Sequence, residues 1–243
     1  MQRFQTFEGI LVRVVVESSR VKRFFIALKS EASEESKKRT EFVFVPGQNV
    51  VLSISGVVDE KNHIIKRVFS IVSTPFDELI ELCVALTPKP SFSSALSDLA
   101  IGSALTVEGP FGQFVLGQPK NHVTFIAGGT GIAPLLCMIR SLIKKDFSGS
   151  IELFFGVRSF EDYLYRAELE NYAKNNGLRI SVCASRDASW TGLQGHITDF
   201  LPQMLENKGQ LVFVCGPQEM IKDTLAVLKK IGFADEQVKK EAW

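Results

Sequence analysis

The chain has 243 residues, of which 45% are hydrophobic and 23% charged, a composition typical of folded proteins and a length sufficient for two modest domains. Lys plus Arg number 28 and Asp plus Glu number 27, which gives a formal net charge of +1. This balance argues against a dedicated nucleic-acid-binding protein, which normally carries a basic excess. No apolar run approaches the roughly 18 residues of a membrane-spanning helix. The first residues lack the layout of a secretory signal, so we expect a cytoplasmic protein.

Cysteine spacing argues against the common metal sites. Cys83, Cys137, Cys183 and Cys215 are far apart, so the chain has no C-x-x-C pair for a zinc site or an iron–sulfur cluster. Each lies in an apolar run, where a thiol behaves as a small core residue. The three histidines are equally scattered. We therefore expect neither a metal ion nor disulfide bonds.

The first half of the chain has the pattern of an antiparallel β domain. Its apolar runs are short and rich in β-branched and aromatic residues, and turn residues separate them. One short helix is expected to begin at Ser93 or Ser94 and end at Leu99. This pattern predicts an antiparallel β-barrel over residues 1–117, with a sandwich as the alternative. The predicted strands contain Ile10–Val16, Phe24–Leu28, Val50–Ile54, Val68–Val72, Leu79–Leu86 and Leu105–Val107.

From His122 onward, predicted strands and helices alternate. This order indicates a parallel sheet covered by helices on both faces, the doubly wound α/β architecture, over residues 118–243. The predicted strands are Val123–Ala127, Ile151–Phe155, Arg179–Ala184 and Leu211–Cys215, and the predicted helices are Pro134–Lys144, Glu161–Lys174, Ile197–Leu205 and Glu219–Lys230.

The clearest local motif is the glycine-rich segment FIAGGTGIAP. A strand runs into Gly128-Gly129-Thr130-Gly131, and Pro134 opens a helix, where its missing N–H costs nothing. Glycines let backbone N–H groups approach a pyrophosphate, and the helix dipole favours its charge. A tight strand-to-helix turn without a ligand is the alternative. The position of the motif at the first crossover of the sheet favours nucleotide binding.

An acid at the end of the second strand, which pairs with ribose hydroxyls in many NAD sites, is missing from this chain. Arg158 stands there instead, and Ser185 and Arg186 follow the third strand. All three are predicted at the carboxyl edge of the sheet, where they can hold a 2′-phosphate through charge-assisted hydrogen bonds. The alternative is that both arginines are solvated loop ends.

Four motifs occur in order along the chain, and together they carry a resemblance. They are Arg67-Val68-Phe69-Ser70, Gly109-Pro110-Phe111-Gly112, the glycine-rich segment, and Cys215-Gly216-Pro217 followed by Met220. In this order they resemble the flavin motif, the G-P-F-G turn, the nucleotide loop and the C-G-P-x-x-M motif of the ferredoxin–NADP reductase superfamily. The resemblance covers nearly the whole chain, from about Glu8 to Trp243.

The resemblance implies that the first half holds FAD. Arg67 would neutralise the flavin phosphate, Phe69 would pack against the isoalloxazine ring, and Ser70 would offer its hydroxyl to flavin N5. Ser93 or Ser94 would bind the FAD pyrophosphate at a helix start. An ordinary strand with a core phenylalanine and a capping serine is the alternative for each residue taken singly.

The resemblance also implies that Cys215 lies beside the nicotinamide and helps to position it, although a buried structural thiol is the commoner role for such a residue. The motif that begins at Cys215 would belong to the same nucleotide site. Trp243 would stack on the flavin face, and Glu241 would take part in proton transfer or charge balance near N5. A frayed polar tail is the alternative for this end of the chain.

The implied activity is that of a ferredoxin–NADP reductase-like flavoenzyme with FAD and NADPH as cofactors, NADH being less favoured. Hydride would pass from the nicotinamide to the flavin, and single electrons would then pass to ferredoxin or flavodoxin. Such carriers are acidic, so a local basic surface is expected. Nothing in the sequence demands more than a monomer.

Three other functions stay open. Many family members have Tyr where this chain has Phe69, and NAD(P)H:flavin reductases, for which flavin is a diffusible substrate, tolerate Phe there. Electron delivery to a monooxygenase component would use the same chemistry. A flavin- or nucleotide-binding module without catalysis would keep the same fold.

Overall fold

The computed structural model of the chain describes residues 5–29, 42–119 and 121–242. The chain divides into two compact units, Met1–Val115 and Leu116–Trp243. Each unit contains its own six-stranded sheet. The sequence places the division between residues 117 and 118, two residues further along the chain.

The sheet of the first unit is antiparallel, with the strand order β4-β3-β6-β1-β2-β5. Ile71, directly after β4, forms an antiparallel bridge with Leu82 of β5, so the two edge strands meet and the sheet closes into a barrel. Phe24, Leu52 and Leu82, from three different strands, are fully buried in its core. The elements are β1 (Gln5–Ser18), β2 (Val21–Leu28), β3 (Asn49–Val58), β4 (Ile64–Ser70), β5 (Ile80–Ala85), α1 (Phe92–Asp98) and β6 (Ala104–Phe111).

The second unit contains a parallel sheet with the strand order β10-β9-β8-β7-β11-β12. Its strands are β7 (His122–Gly128), β8 (Ser150–Val157), β9 (Arg179–Ala184), β10 (Leu193–Gln194), β11 (Leu211–Gly216) and β12 (Val238–Ala242). Its helices are α2 (Ile132–Lys144), α3 (Arg166–Asn176), α4 (Ile197–Met204) and α5 (Gln218–Lys230).

Apolar side chains cover both faces of the parallel sheet. Ile126, Phe154 and Val214 pack in one cluster with residues of α4 and α5. Phe125 and Phe155 alternate with them along the strands and point to the opposite face, since successive side chains of a strand do so. The sequence prediction of a barrel followed by a doubly wound α/β unit is confirmed.

The second unit differs from the prediction in the start of α3 and in having two strands, β10 and β12, that the sequence does not predict. The predicted helix Glu161–Lys174 is wrong at its start, because α3 begins only at Arg166, after a 3₁₀ turn at Phe160–Asp162 and Tyr165 in a left-handed conformation (φ 56°). The alternative of a frayed tail is wrong for Lys240, Glu241 and Ala242, which belong to strand β12 (Val238–Ala242). Among the described residues no helix is long and apolar enough to cross a membrane.

Candidate functional site

In the barrel unit, the predicted flavin motif and the G-P-F-G turn lie on either side of β3. Asn49 of β3 is paired with Ser70 of β4 on one side and with Phe111 of β6 on the other. The buried amide of Gln48 supports the turn, because its Nε2 donates to the carbonyl of Gly112 at 3.3 Å. Two motifs that are far apart in sequence therefore lie on the two strands that flank β3.

β4 is the strand of the described barrel that buries none of its residues. Arg67 is exposed and donates from Nη1 to the carbonyl of Lys66 at 2.9 Å. Val68 is 61% exposed, whereas Phe69 is half-buried and packs on Phe92 of α1 with ring centroids 6.0 Å apart. An exposed guanidinium beside a supported aromatic ring fits the phosphate and the ring system of FAD.

The serines at the start of α1 are occupied by local hydrogen bonds. Ser91 caps the helix, and its hydroxyl accepts from the backbone N–H of Ser94 at 3.1 Å. Ser93 is buried and accepts from the backbone N–H of Thr87 at 2.9 Å, and the Ser94 hydroxyl donates to the carbonyl of Ser91 at 2.8 Å. A phosphate held by Ser93 or Ser94 would have to exchange with these bonds.

In the second unit, the parallel sheet gathers the predicted nucleotide residues at one edge, which we call the carboxyl edge because every strand ends there. Ala127 and Glu241 are the register partners of Cys215 on its two sides. Gly128 is paired with Gly156 at the end of β8. Parallel strands bring their carboxyl ends together irrespective of sequence distance, and α/β proteins bind ligands at this edge.

The glycine-rich turn is pressed against the end of β11. It runs as a 3₁₀ turn over Gly129–Gly131 into α2, and no described side chain caps either helical start. A Cβ atom added to Gly131 would lie 2.3 Å from the carbonyl oxygen of Cys215, so only glycine fits there. The first amide groups of a helix lack partners within the helix, which fits a pyrophosphate. Pro134 is the third residue of α2 and removes none of the helix's internal bonds.

Met220, from the same motif as Cys215, packs behind the turn. A Cβ atom on Gly128 would meet its Sδ at 2.4 Å, and one on Gly216 would meet its Cε at 2.7 Å. Pro217 stands immediately before α5 and also lies against Gly128. The geometry gives Met220 the role of filling the space under two glycines.

Cys215 is buried, and burial raises the pKa of its thiol, with the negative charge of Glu241 adding to the effect. The thiol is therefore neutral at neutral pH and unsuited to nucleophilic attack, because the thiolate is the reactive form. A neutral thiol at the end of a strand suits the predicted positioning role. Trp243 lies outside the described residues.

Arg158, Ser185 and Arg186 come together at the carboxyl edge. The backbone N–H of Arg186 donates to the carbonyl of Arg158 at 2.8 Å, and that of Ser185 donates to the carbonyl of Val157 at 3.0 Å. Both arginines are exposed. The sequence analysis did not identify Asp187, whose carboxylate joins the loop after β9 to the loop after β8 by accepting from the backbone N–H of Phe160. The sequence feature that could have identified it is the D-x-S pattern of Asp187 and Ser189, which favours an Asx turn.

Comparison with known proteins gives matches over both units. Residues 9–116 match the oxidoreductase FAD-binding domain, and residues 125–225 match the oxidoreductase NAD-binding domain. Ferredoxin–NADP reductase B of Sorangium cellulosum is 31% identical over 205 residues, which cover 79% of this chain and 81% of that protein. Xylene/toluene monooxygenase electron transfer component XylA of Pseudomonas putida is 28% identical over 204 residues, which cover 82% of this chain and 57% of that one.

A solved structure shares the fold. A ferredoxin NADP+ reductase from Neisseria gonorrhoeae with bound FAD and NADP matches with a TM-score of 0.81 and 20% identity, covering 100% of this chain and 99% of that one. Several curated relatives are longer than this protein, which spans only 32%, 57% and 56% of the length of three of them.

A closed barrel that carries a flavin motif, joined to a parallel sheet with a glycine-rich turn, defines the class: an FAD- and pyridine-nucleotide-binding protein of the oxidoreductase type. Identity to the Sorangium reductase over four-fifths of that protein identifies the family within this class. The chain belongs to the ferredoxin–NADP reductase superfamily, as its four ordered motifs predict.

Proposed function

We propose that the protein is a flavoenzyme that transfers a hydride from NADPH to bound FAD and delivers single electrons to a carrier of the ferredoxin or flavodoxin type. The observation that carries the proposal is the register of the parallel sheet, which brings the glycine-rich turn, Cys215 and two arginines to one edge. When bound, FAD supplies the chemistry that accepts two electrons together and releases them one at a time.

On the barrel, different side chains of β4 bind different parts of FAD. Arg67 neutralises a phosphate, and Phe69, supported from behind by Phe92, provides a flat apolar contact for the ring. Ser70 ends the strand and offers a hydroxyl at the polar side of that ring. Because Phe69 lacks the hydroxyl of a tyrosine, the binding of the flavin rests mainly on packing and on Arg67.

On the parallel sheet, phosphate recognition favours NADPH over NADH. No acid ends β8 to pair with ribose hydroxyls, while Arg158 and Arg186 leave adjacent strands with their backbones hydrogen-bonded. Two arginines whose backbones are joined at the carboxyl edge suit a 2′-phosphate. The neutral thiol of Cys215 holds the nicotinamide end by contact, and the half-buried carboxylate of Glu241 beside it is available for charge balance or proton transfer.

The names of several relatives favour a second candidate for the electron acceptor. XylA is an electron transfer component of a xylene/toluene monooxygenase, and a glycine betaine monooxygenase reductase subunit of Chromohalobacter salexigens is 30% identical over 205 residues. In this alternative, the protein delivers electrons to an oxygenase component. The chemistry at the flavin and at the nicotinamide is the same, so only the partner differs.

The first experiment is the visible absorbance spectrum of the purified, desalted protein, followed by turnover with NADPH. A stoichiometric flavin spectrum and steady reduction of ferricyanide and of ferredoxin or flavodoxin are expected. A colourless protein that oxidises NADPH only after flavin is added would instead establish a flavin reductase. Flavin binding without turnover of ferricyanide would establish a binding module.

The choice of nucleotide is tested by Arg186→Ala. We expect the KM for NADPH to rise about tenfold, because one charge-assisted bond to the phosphate is lost, with the KM for NADH within about twofold of wild type. Arg179→Ala is the matched control, since Arg179 is exposed and begins β9, at the opposite edge of the same sheet. Equal efficiency of wild-type protein with NADPH and NADH would contradict the assignment.

A further inference from the structure

Two loops at the carboxyl edge are tied together by one carboxylate. Asp187, in the loop after β9, accepts through Oδ2 from the backbone N–H of Phe160, in the loop after β8, at 3.1 Å. Its other oxygen accepts from the backbone N–H of Ser189 at 3.0 Å and from the Ser189 hydroxyl. Both carboxylate oxygens are therefore used in holding backbone, one within its own loop and one across to the neighbouring loop.

The same two loops carry the arginines of the proposed phosphate site. Arg158 lies two residues before Phe160, and Arg186 lies directly before Asp187. At the base of the loops, the backbone N–H of Arg186 donates to the carbonyl of Arg158. Further from the sheet, the carboxylate of Asp187 provides a second hydrogen bond between the two loops, from the backbone N–H of Phe160.

An aromatic layer supports this junction. Trp190 contacts Tyr163 edge-on with ring centroids 6.3 Å apart and lies at the same distance from Phe160. The backbone N–H of Trp190 donates to the carbonyl of Asp187 at 3.2 Å, so the turn that presents the carboxylate rests on this layer. These groups line a pocket of about 330 Å³ together with Arg166 and Glu170.

Asp187 remains an anion in this setting. The hydrogen bonds from Ser189 and from the backbone of Phe160 hold the pKa of its carboxyl below the usual value. An anion beside a phosphate site opposes binding if only its charge matters. It assists binding if its hydrogen bonds fix the cations in place. These two effects have opposite signs, so an experiment separates them.

We infer that Asp187 is a positioning residue for phosphate recognition: it joins the loops after β8 and β9 so that Arg158 and Arg186 form one preassembled site for the 2′-phosphate. This inference rests on the proposed function and deepens it, since it names what holds the specificity site together. Preassembly favours binding because the loops need not be ordered when the nucleotide arrives.

The test measures kcat and KM with NADPH and with NADH for wild type, Asp187→Ala, Asp187→Asn and Arg186→Ala. Removing both acceptor oxygens in Asp187→Ala is expected to raise the KM for NADPH roughly tenfold, with kcat and the KM for NADH within about twofold of wild type. Asp187→Asn retains one acceptor oxygen, so its KM for NADPH is expected to lie between those of wild type and Asp187→Ala. Asp59→Asn is the matched control, because Asp59 accepts from two backbone N–H groups in the β3–β4 hairpin.

A double variant shows whether Asp187 acts through Arg186. If it does, the rise in the KM for NADPH in the double variant is smaller than the product of the two single rises, because one of the two arginines to be positioned is already missing. Full additivity of the two substitutions in the KM for NADPH overturns the inference. An equal rise in the KM for both nucleotides, or an equal rise in the KM for NADPH in Asp59→Asn, overturns it as well. A lower KM for NADPH in Asp187→Ala also overturns it and shows that the carboxylate acts by repulsion.

Failure of the proposed function gives a different pattern. If wild type does not discriminate between the nucleotides and Arg186→Ala changes neither KM, the phosphate site itself is absent and the inference falls with it. If wild type prefers NADPH and Arg186→Ala removes that preference while Asp187→Ala does not change it, only the positioning role is overturned.

Discussion

Replacing Gly131 by alanine tests whether the glycine-rich turn is fixed by the end of β11. The added Cβ would lie 2.3 Å from the carbonyl oxygen of Cys215 and 2.5 Å from its carbonyl carbon, about 1 Å inside the 3.4 Å at which ordinary contact begins. Both atoms belong to a buried strand paired with β7, so relief requires the pairing to open. Overpacking against such a rigid neighbour destabilises the unit by about 3 kcal/mol.

Two other glycines at the same edge provide a graded control. A Cβ on Gly156 would meet its neighbours at 3.7 to 4.0 Å, which is ordinary contact, so Gly156→Ala is expected to change stability by less than about 0.5 kcal/mol. A Cβ on Gly128 would meet the flexible end of Met220 at 2.4 Å and Pro217 at 3.1 Å, so Gly128→Ala is expected to lie between the two.

The assay is urea unfolding followed by far-ultraviolet circular dichroism, with NADPH-dependent ferricyanide reduction measured on the same samples. Gly131→Ala is expected to lose both stability and NADPH turnover while it retains flavin, because the flavin residues belong to the other unit. If Gly131→Ala is as stable as Gly156→Ala, the close packing of the turn on β11 is refuted.

Three further perturbations have defined outcomes. Arg67→Ala should weaken FAD retention about tenfold in equilibrium dialysis, with Lys66→Ala as its neighbouring control. Arg140→Met should cost about 2 kcal/mol in urea unfolding, because it removes the two charge-assisted hydrogen bonds, of 2.6 and 2.7 Å, that the buried guanidinium donates to Glu168. Burial raises the pKa of Cys215, so above about pH 9 the unfolded chain loses the thiol proton while the folded state keeps it. The free energy of unfolding should therefore fall above that pH by up to about 1.4 kcal/mol per pH unit, and Cys215→Ala should make this fall less steep.

The order of elements was predictable from the sequence wherever burial imposes a pattern. β9 has the bounds that the sequence predicts, Arg179–Ala184, because its apolar residues end at Ala184, where the polar pair Ser185 and Arg186 follows. The predicted start of the third helix at Glu161 is wrong because the residues there follow a helical period, whereas Tyr163 and Tyr165 are both buried. The left-handed backbone of Tyr165 delays the helix until Arg166, and no local sequence pattern predicts it.

Strand β12 shows a different limit. The segment Val238–Ala242 has the sequence VKKEA, without the apolar alternation of a strand, and its side chains are half-buried or exposed. It becomes a strand because β11 offers an unpaired edge to which its backbone can bond. Its conformation is a property of the neighbouring strand, so the sequence of the segment alone does not predict a strand.

In the candidate site, too, some features could be predicted from the sequence and others could not. Residues that meet because strands are parallel were predictable: once β8 and β9 are known to be neighbours, Arg158 and Arg186 must lie at the same edge. The bond from Phe160 to Asp187 spans 27 residues and depends on the path of two irregular loops, which hydrophobic periodicity does not encode. Topology therefore determines which charges gather at the edge. The loop hydrogen bonds determine how firmly those charges are held, and it is there that substitutions should alter nucleotide preference while leaving the fold intact.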